Sequence, residues 1–152
     1  MLKQACIKNG LFKDEEEYDY YVSEWQSLPN ARVVTEDSYI DIFKTSDGII
    51  LDSVSFLSEY LYVNKPILLL TRDSQTFNDY GMKLKEVLYK ADGADIKGIF
   101  HFIENILINK NDTKKVIREK FYQDYLNYFK KNKGLLGSEY IYNYLKDCFT
   151  IK

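Results

Sequence analysis

The chain predicts an α/β fold: a three-layer sandwich in which helices cover a parallel sheet, followed by a helical C-terminal stretch. Three observations carry this. Residues 48–51, Gly-Ile-Ile-Leu, and residues 67–70, Ile-Leu-Leu-Leu, are short apolar runs without alternation, the pattern of strands covered on both faces. Between them Phe56, Leu57, Tyr60 and Leu61 recur at helical spacing and Asn64-Lys65-Pro66 breaks the helix, which makes a βαβ unit. From Asp95 onward the apolar residues fall only at helical spacing.

The elements follow in order. A short helical segment opens the chain at MLKQACIKNG. Asp14 and Glu17 form a capping box with Asp in the Ser/Thr position, and Tyr18, Tyr21, Val22, Trp25 and Leu28 mark one face of the helix that Pro29-Asn30 ends. Residues 31–35 are β-branched and short, and residues 32–34 are expected to join the sheet as a strand. Asp37 or Ser38 caps a brief helix carrying Tyr39, Ile40 and Phe43. The βαβ unit of residues 46–70 comes next, with the 48–51 strand expected inside the sheet. Residues 71–95 look less regular, and loops after strands commonly carry ligand contacts, which singles out Arg72 and Asp73. In the tail, Ile96, Ile99, Phe100, Ile103, Ile106 and Leu107 form one stripe. Asn111-Asp112 is expected to cap a helix bearing Val116, Ile117, Phe121, Tyr125 and Phe129, and Ser138 to begin a last one with Ile141, Leu145 and Cys148.

Composition narrows the function. The 152 residues suffice for one domain with a core, read here as a single unit 1–152 whose residues 96–152 are its helical tail. A net charge of −2 argues against a nucleic-acid or anionic-membrane footprint, which needs a basic excess on one face. Fourteen Tyr and nine Phe, mostly at helical spacing, read as packing. Cys6 and Cys148 form no CxxC and look like reduced cytosolic thiols; no zinc site or other metal site is indicated. No apolar run approaches the ~18 residues of a membrane span, so the protein is expected in the cytoplasm. Lys130, Lys131 and Lys133 read as a solvated helix end.

The candidate site is the helix start after the first strand of the βαβ unit. In open, Rossmann-like α/β sheets anionic ligands bind at the carboxyl ends of strands, where free amides and the helix dipole favour negative charge. Asp52, Ser53 and Ser55 stand there, and Glu59 lies one turn beyond Ser55 on the same face. Each has a second reading: Ser53 as the N-cap, Asp52 as an acceptor for turn amides, Glu59 as a solvated helix residue. His101, the sole histidine, falls about 140° from the apolar stripe by helical geometry and reads as a surface residue; no GxSxG, HExxH or P-loop pattern occurs.

On these residues the segment from Tyr39 through Leu70 resembles the nucleotide-binding half of the CDP-glycerol glycerophosphotransferase family, the teichoic-acid type polymerases with a B-type glycosyltransferase fold. That family carries a strand ending in Thr-Asp-Tyr-Ser-Ser, a helix with an acidic residue four positions after the second Ser, and a Lys-Pro or Arg-Pro turn. Here Leu51-Asp52-Ser53-Val54-Ser55, Glu59 and Lys65-Pro66 stand in register, with Ser53 in the place of Tyr and Val54 in the place of the first Ser. The resemblance implies an incomplete half of a B-type glycosyltransferase. Ser53, Ser55 and Asp52 would hold the donor phosphate and Glu59 the ribose, with loop contacts from Arg72 and Asp73. The donor would be a nucleotide-diphosphate-linked group such as CDP-glycerol, with no cofactor, and no catalytic residue would lie in this chain. The partner would be an N-terminal domain of the same transferase carrying the catalytic histidine, and the whole protein would dock peripherally at the inner face of the cell membrane.

Two other classes stay open: a stand-alone flavodoxin-like binding or regulatory module, and an interaction protein that docks through its aromatic-rich C-terminal helices.

Overall fold

The computed structural model describes residues 2–34, 38–52, 55–131 and 133–150. The chain divides into two compact units, residues 1–39 and residues 40–152.

The first unit is a pair of helices, α1 (Leu2–Lys8) and α2 (Glu15–Ser27). The turn between them passes through Gly10 at φ 72°, a left-handed conformation suited to glycine. The capping box forms: the Glu17 amide donates to Asp14 Oδ1 at 2.9 Å, and the Lys13 amide donates back to Glu17 Oε2 at 2.6 Å. Lys3 Nζ reaches Asp19 and Gln4 Nε2 reaches Glu15, tying α1 to α2. Phe12 packs edge-on to Tyr18, with ring centroids 5.3 Å apart. Residues 31–34 form no strand. The expectation that residues 32–34 join the sheet is therefore corrected: β-branched side chains favour extended backbone, but a strand exists only through a paired neighbour. Asp37, one of the two caps expected for the next helix, lies outside the described residues.

The second unit holds the sheet. After α3 (Ile40–Thr45) come β1 (Ile49–Leu51), α4 (Ser55–Tyr60) with a 3-10 turn (Leu61–Val63), β2 (Ile67–Thr71), α5 (Asp79–Glu86) and β3 (Tyr89–Asp92). The strands run parallel in the order β1-β2-β3, with Ile49 opposite Ile67 and Leu68 opposite Tyr89. Residues 48–51 were expected inside the sheet; β1 is instead an edge strand. Residues 71–95 are also more regular than expected. Asn78 caps α5 by accepting the Gly81 amide at 2.8 Å, and β3 supplies the third strand.

Side chains of β2 alternate between two cores. Ile67 and Leu69 meet Leu57, Tyr60 and Leu61, with Leu84, Leu88, Phe121 and Leu126, on one face. Leu68 meets Phe102 and Ile106 on the other. Helices thus cover both faces, α4, α5 and α7 (Lys115–Tyr125) on the first and α6 (Ile96–His101) on the second. The helix begun by α6 widens to a π-helix over Phe102–Ile108 where the periodicity predicts an unbroken α-helix. Asp112, expected to cap a helix, does something else. It accepts Arg118 Nη2 at 2.6 Å and Nη1 at 3.2 Å, and the Tyr89 hydroxyl at 3.0 Å. Arg118 is 1% exposed and also donates to the Asn64 carbonyl at 3.0 Å. Lys65, the residue before the proline turn, donates from Nζ to the carbonyls of Phe43, Lys44 and Ser46 and so closes the end of α3. α8 (Tyr128–Lys131) and α9 (Gly137–Thr150) complete the chain; the described side chains of α9 are exposed throughout. Among the described residues, no helix is long and apolar enough to cross a membrane.

Candidate functional site

Because the strands are parallel, their carboxyl ends open on one edge of the sheet, and the loops after β1, β2 and β3 converge there. Asp52 follows β1 directly, and Arg72 follows β2. They meet: Arg72 Nη1 stands 3.4 Å from Asp52 Oδ2. Both side chains are more than half exposed, so this pair is worth at most about 1 kcal/mol of stability and leaves both groups accessible to solvent.

The loops are held by a residue that sequence reasoning missed. Gln75 donates from Nε2 to the Asp52 carbonyl at 3.0 Å and to the Leu70 carbonyl at 2.9 Å, so one amide joins the ends of β1 and β2. Its Oε1 is buried without a hydrogen-bond partner. A glutamine in an irregular polar loop carries no sequence signal for such a role. On the neighbouring strand, Thr71 Oγ1 donates to the Ala91 carbonyl and the Gly93 amide to the Thr71 carbonyl, which fixes the end of β3 beside that of β2.

Ser55 is the first residue of α4 and Glu59 lies on the same face one turn on; both are exposed. Ser53 and Val54 lie outside the described residues. Asp73 is exposed beside Arg72. The edge therefore brings together Asp52, Arg72 and Asp73, with Ser55 and Glu59 on the adjoining helix. Asp92 and Asp95 add carboxylates, already accepting the amides of Ala94 and Gly98. Arg72 stands among more carboxylates than cations in these loops. Such an edge suits hydroxyl donors, which carboxylates accept readily, and leaves an anion to the guanidinium and backbone amides.

His101 is exposed, as its position in the sequence predicts, and accepts the Asn105 side-chain amide at Nδ1, 3.1 Å away. It borders a cavity of about 320 Å³ with Tyr89, Lys90, Asn111 and Thr113. That cavity lies over the amino-terminal half of β3, away from Asp52 and Arg72. Among the described residues, no group of three or more His, Cys, Asp or Glu side chains is placed to hold a metal ion.

Burial alone would raise the Asp112 carboxyl, but the hydrogen bonds and charge of Arg118, with the Tyr89 hydroxyl, hold it below the usual carboxylate range. This pair sits at the amino ends of the strands, and its fully buried guanidinium makes it a structural tie.

Comparison with protein-family models, curated proteins and solved structures finds no match to the chain.

Proposed function

We propose that the chain is the donor-nucleotide-binding portion of a glycosyl- or glycerophosphotransferase for teichoic-acid-like or capsular cell-surface polymers, taking a nucleotide-diphosphate-linked donor such as CDP-glycerol. One observation supports this reading most: the parallel β1–α4–β2 unit puts Asp52 and Arg72 3.4 Å apart at the strand ends, with Ser55 and Glu59 on the helix between those strands.

In this reading the chemistry is electrostatic. A nucleotide leaving group carries growing negative charge, and transfer is promoted by stabilising it. Arg72 and the Ser55 hydroxyl face the phosphates. Glu59 accepts the ribose hydroxyls, and Asp52 holds Arg72 in place. The general base and the acceptor site belong to the remainder of the transferase, and membrane docking belongs to that larger protein. The chain alone turns over no donor.

A second reading, a flavodoxin-like interaction module without transferase activity, draws on α9, whose Ile141, Leu145 and Phe149 are exposed. Titration of the ¹⁵N-labelled chain with CDP separates the two. Shifts at Asp52, Ser55, Glu59 and Arg72 are expected. Ser55→Ala should cost about 1 kcal/mol of binding. Shifts confined to α9, or none at these four residues, would overturn the transferase reading.

A further inference from the structure

The two edges of the sheet are built differently. β3 reads Tyr-Lys-Ala-Asp, with Lys90 and Asp92 exposed and alternating with half-buried Tyr89 and Ala91. Charged, alternating side chains are how an edge strand discourages further pairing. β1 alternates in exposure too, but Gly48, Ile49, Ile50 and Leu51 carry no charge and no polar side chain, the composition of a strand with neighbours on both sides.

The backbone of β1 points the same way. The Ile49 amide donates to the Pro66 carbonyl at 3.1 Å, so Ile49 faces β2. In a parallel ladder alternate residues face alternate neighbours, hence the N–H and C=O of Ile50 point to the open side. The Ile50 side chain, opposite Leu68, lies on the α6 face and is 37% exposed. Above it the helix leaves an apolar flank. Leu107 Cδ2 lies 2.5 Å from where a Gly48 Cβ would stand, so the far end of the π-helix overhangs the start of β1. Ile103, Phe100 and Ile96 continue that row back along the helix, and Phe100 and Ile96 are 65% and 59% exposed.

We infer that the open edge of β1 receives a further strand, parallel to it, from an additional α/β segment of polypeptide whose own helix covers Ile50 and Phe100. A doubly wound sheet ordinarily has about five or six strands in the order 3-2-1-4-5-6. Three consecutive parallel strands in sequential order match its last three positions. The strand that pairs with the fourth position is then the first, which no described residue supplies. The inference deepens the transferase reading and rests on it for the source of that segment, the remainder of the same sheet.

The test uses the full 152-residue chain, ¹⁵N-labelled, and the synthetic peptide acetyl-Lys-Thr-Val-Ile-Val-Thr-Lys-amide as the probe. Without peptide the Ile50 amide exchanges with solvent rapidly while Leu69 is protected. With peptide, cross-peaks of Ile49 to Leu51 and of Phe100 shift, and Ile50 exchange slows about tenfold or more. A nitroxide on the peptide's amino end broadens Gly48 rather than Asp52, as parallel addition requires. Ile50→Pro removes only an outward N–H and abolishes the effect; Ile50→Lys does so through the exposed side chain, and the variant with unchanged β2 signals is the one read. The inference is overturned by an unprotected Ile50 amide at about 1 mM peptide or by broadening at Asp52. Self-association through the same residues without peptide also overturns it, because the occupant is then a second copy. CDP is titrated into a parallel sample. Nucleotide binding without peptide protection refutes the strand site alone, and protection without nucleotide binding refutes the nucleotide site alone.

Discussion

Replacing Asp112 should damage the protein far more than replacing its partner Arg118. Arg118 is 1% exposed, whereas the Asp112 side chain keeps 15% of its surface in water. In Asp112→Ala the guanidinium loses both charge-assisted hydrogen bonds and is left with the Asn64 carbonyl, an uncompensated cation inside the core. Breaking a buried pair in this way costs about 3–5 kcal/mol. Arg118→Met removes the buried charge, fills most of its volume, and leaves Asp112 with the Tyr89 hydroxyl and some solvent, so about 1 kcal/mol is expected. With a urea slope of about 1.5 kcal/mol per M, Asp112→Ala should lower the unfolding midpoint by about 2–3 M, and Arg118→Met by less than half of that. Urea titrations followed by far-UV circular dichroism at neutral pH measure both. Equal costs for the two variants, or an Asp112→Ala shift below about 0.5 M, would refute the reasoning that the buried cation dominates.

The same carboxyl has a pH signature. Its folded pKa is depressed, so its contribution is fully present above the unfolded value of about 3.9 and is lost as pH falls through the folded one. The stability gap between wild type and Asp112→Asn should therefore narrow when urea titrations are repeated below about pH 4. Gly48→Val places a branched side chain against Leu107 and 3.1 Å from the Pro66 carbonyl, and thermal unfolding should show a loss of about 1–3 kcal/mol. Gln75→Ala deletes both strand-end hydrogen bonds; amide exchange at residues 71–75 should accelerate while that of Leu68 is unchanged, and equal acceleration at Leu68 would show a global effect instead. Glu59→Gln should weaken cytidine binding in calorimetry while leaving inorganic phosphate binding unchanged.

The parts of the fold that were legible in the sequence are those whose burial is settled locally. Ile67 to Leu70 reads as a strand because β2 is covered on both faces, and the Asp14–Glu17 cap reads from four consecutive residues. β3 escaped notice because an edge strand carries lysine and aspartate and looks like loop. Residues 32–34 misled for the opposite reason: their side chains favour extended backbone, but pairing is a non-local property that composition cannot supply. Asp112 was read as a local cap, whereas its partner Arg118 wins the carboxylate because a buried guanidinium needs it more than a helix end does. At the site, what is legible is location: Asp52 directly after β1, Ser55 and Glu59 on α4, and Arg72 directly after β2. The role of Gln75 was not legible, since it depends on where two carbonyls of different strands end up.

The bond from Arg118 to the Asn64 carbonyl also sets an order of events during synthesis. Asn64 holds a left-handed conformation, φ 49°, in the turn that feeds β2. The β1–α4–β2 unit emerges from the ribosome before Arg118 does. The tie that fixes its turn spans 54 residues, so it forms only after Arg118 has cleared the exit tunnel. Translation at about 5–20 residues per second leaves the young sheet with an unlocked corner for several seconds. During that interval the apolar side chains of Leu57, Tyr60, Ile67 and Leu69 lack the cover that Phe121 gives them in the finished fold.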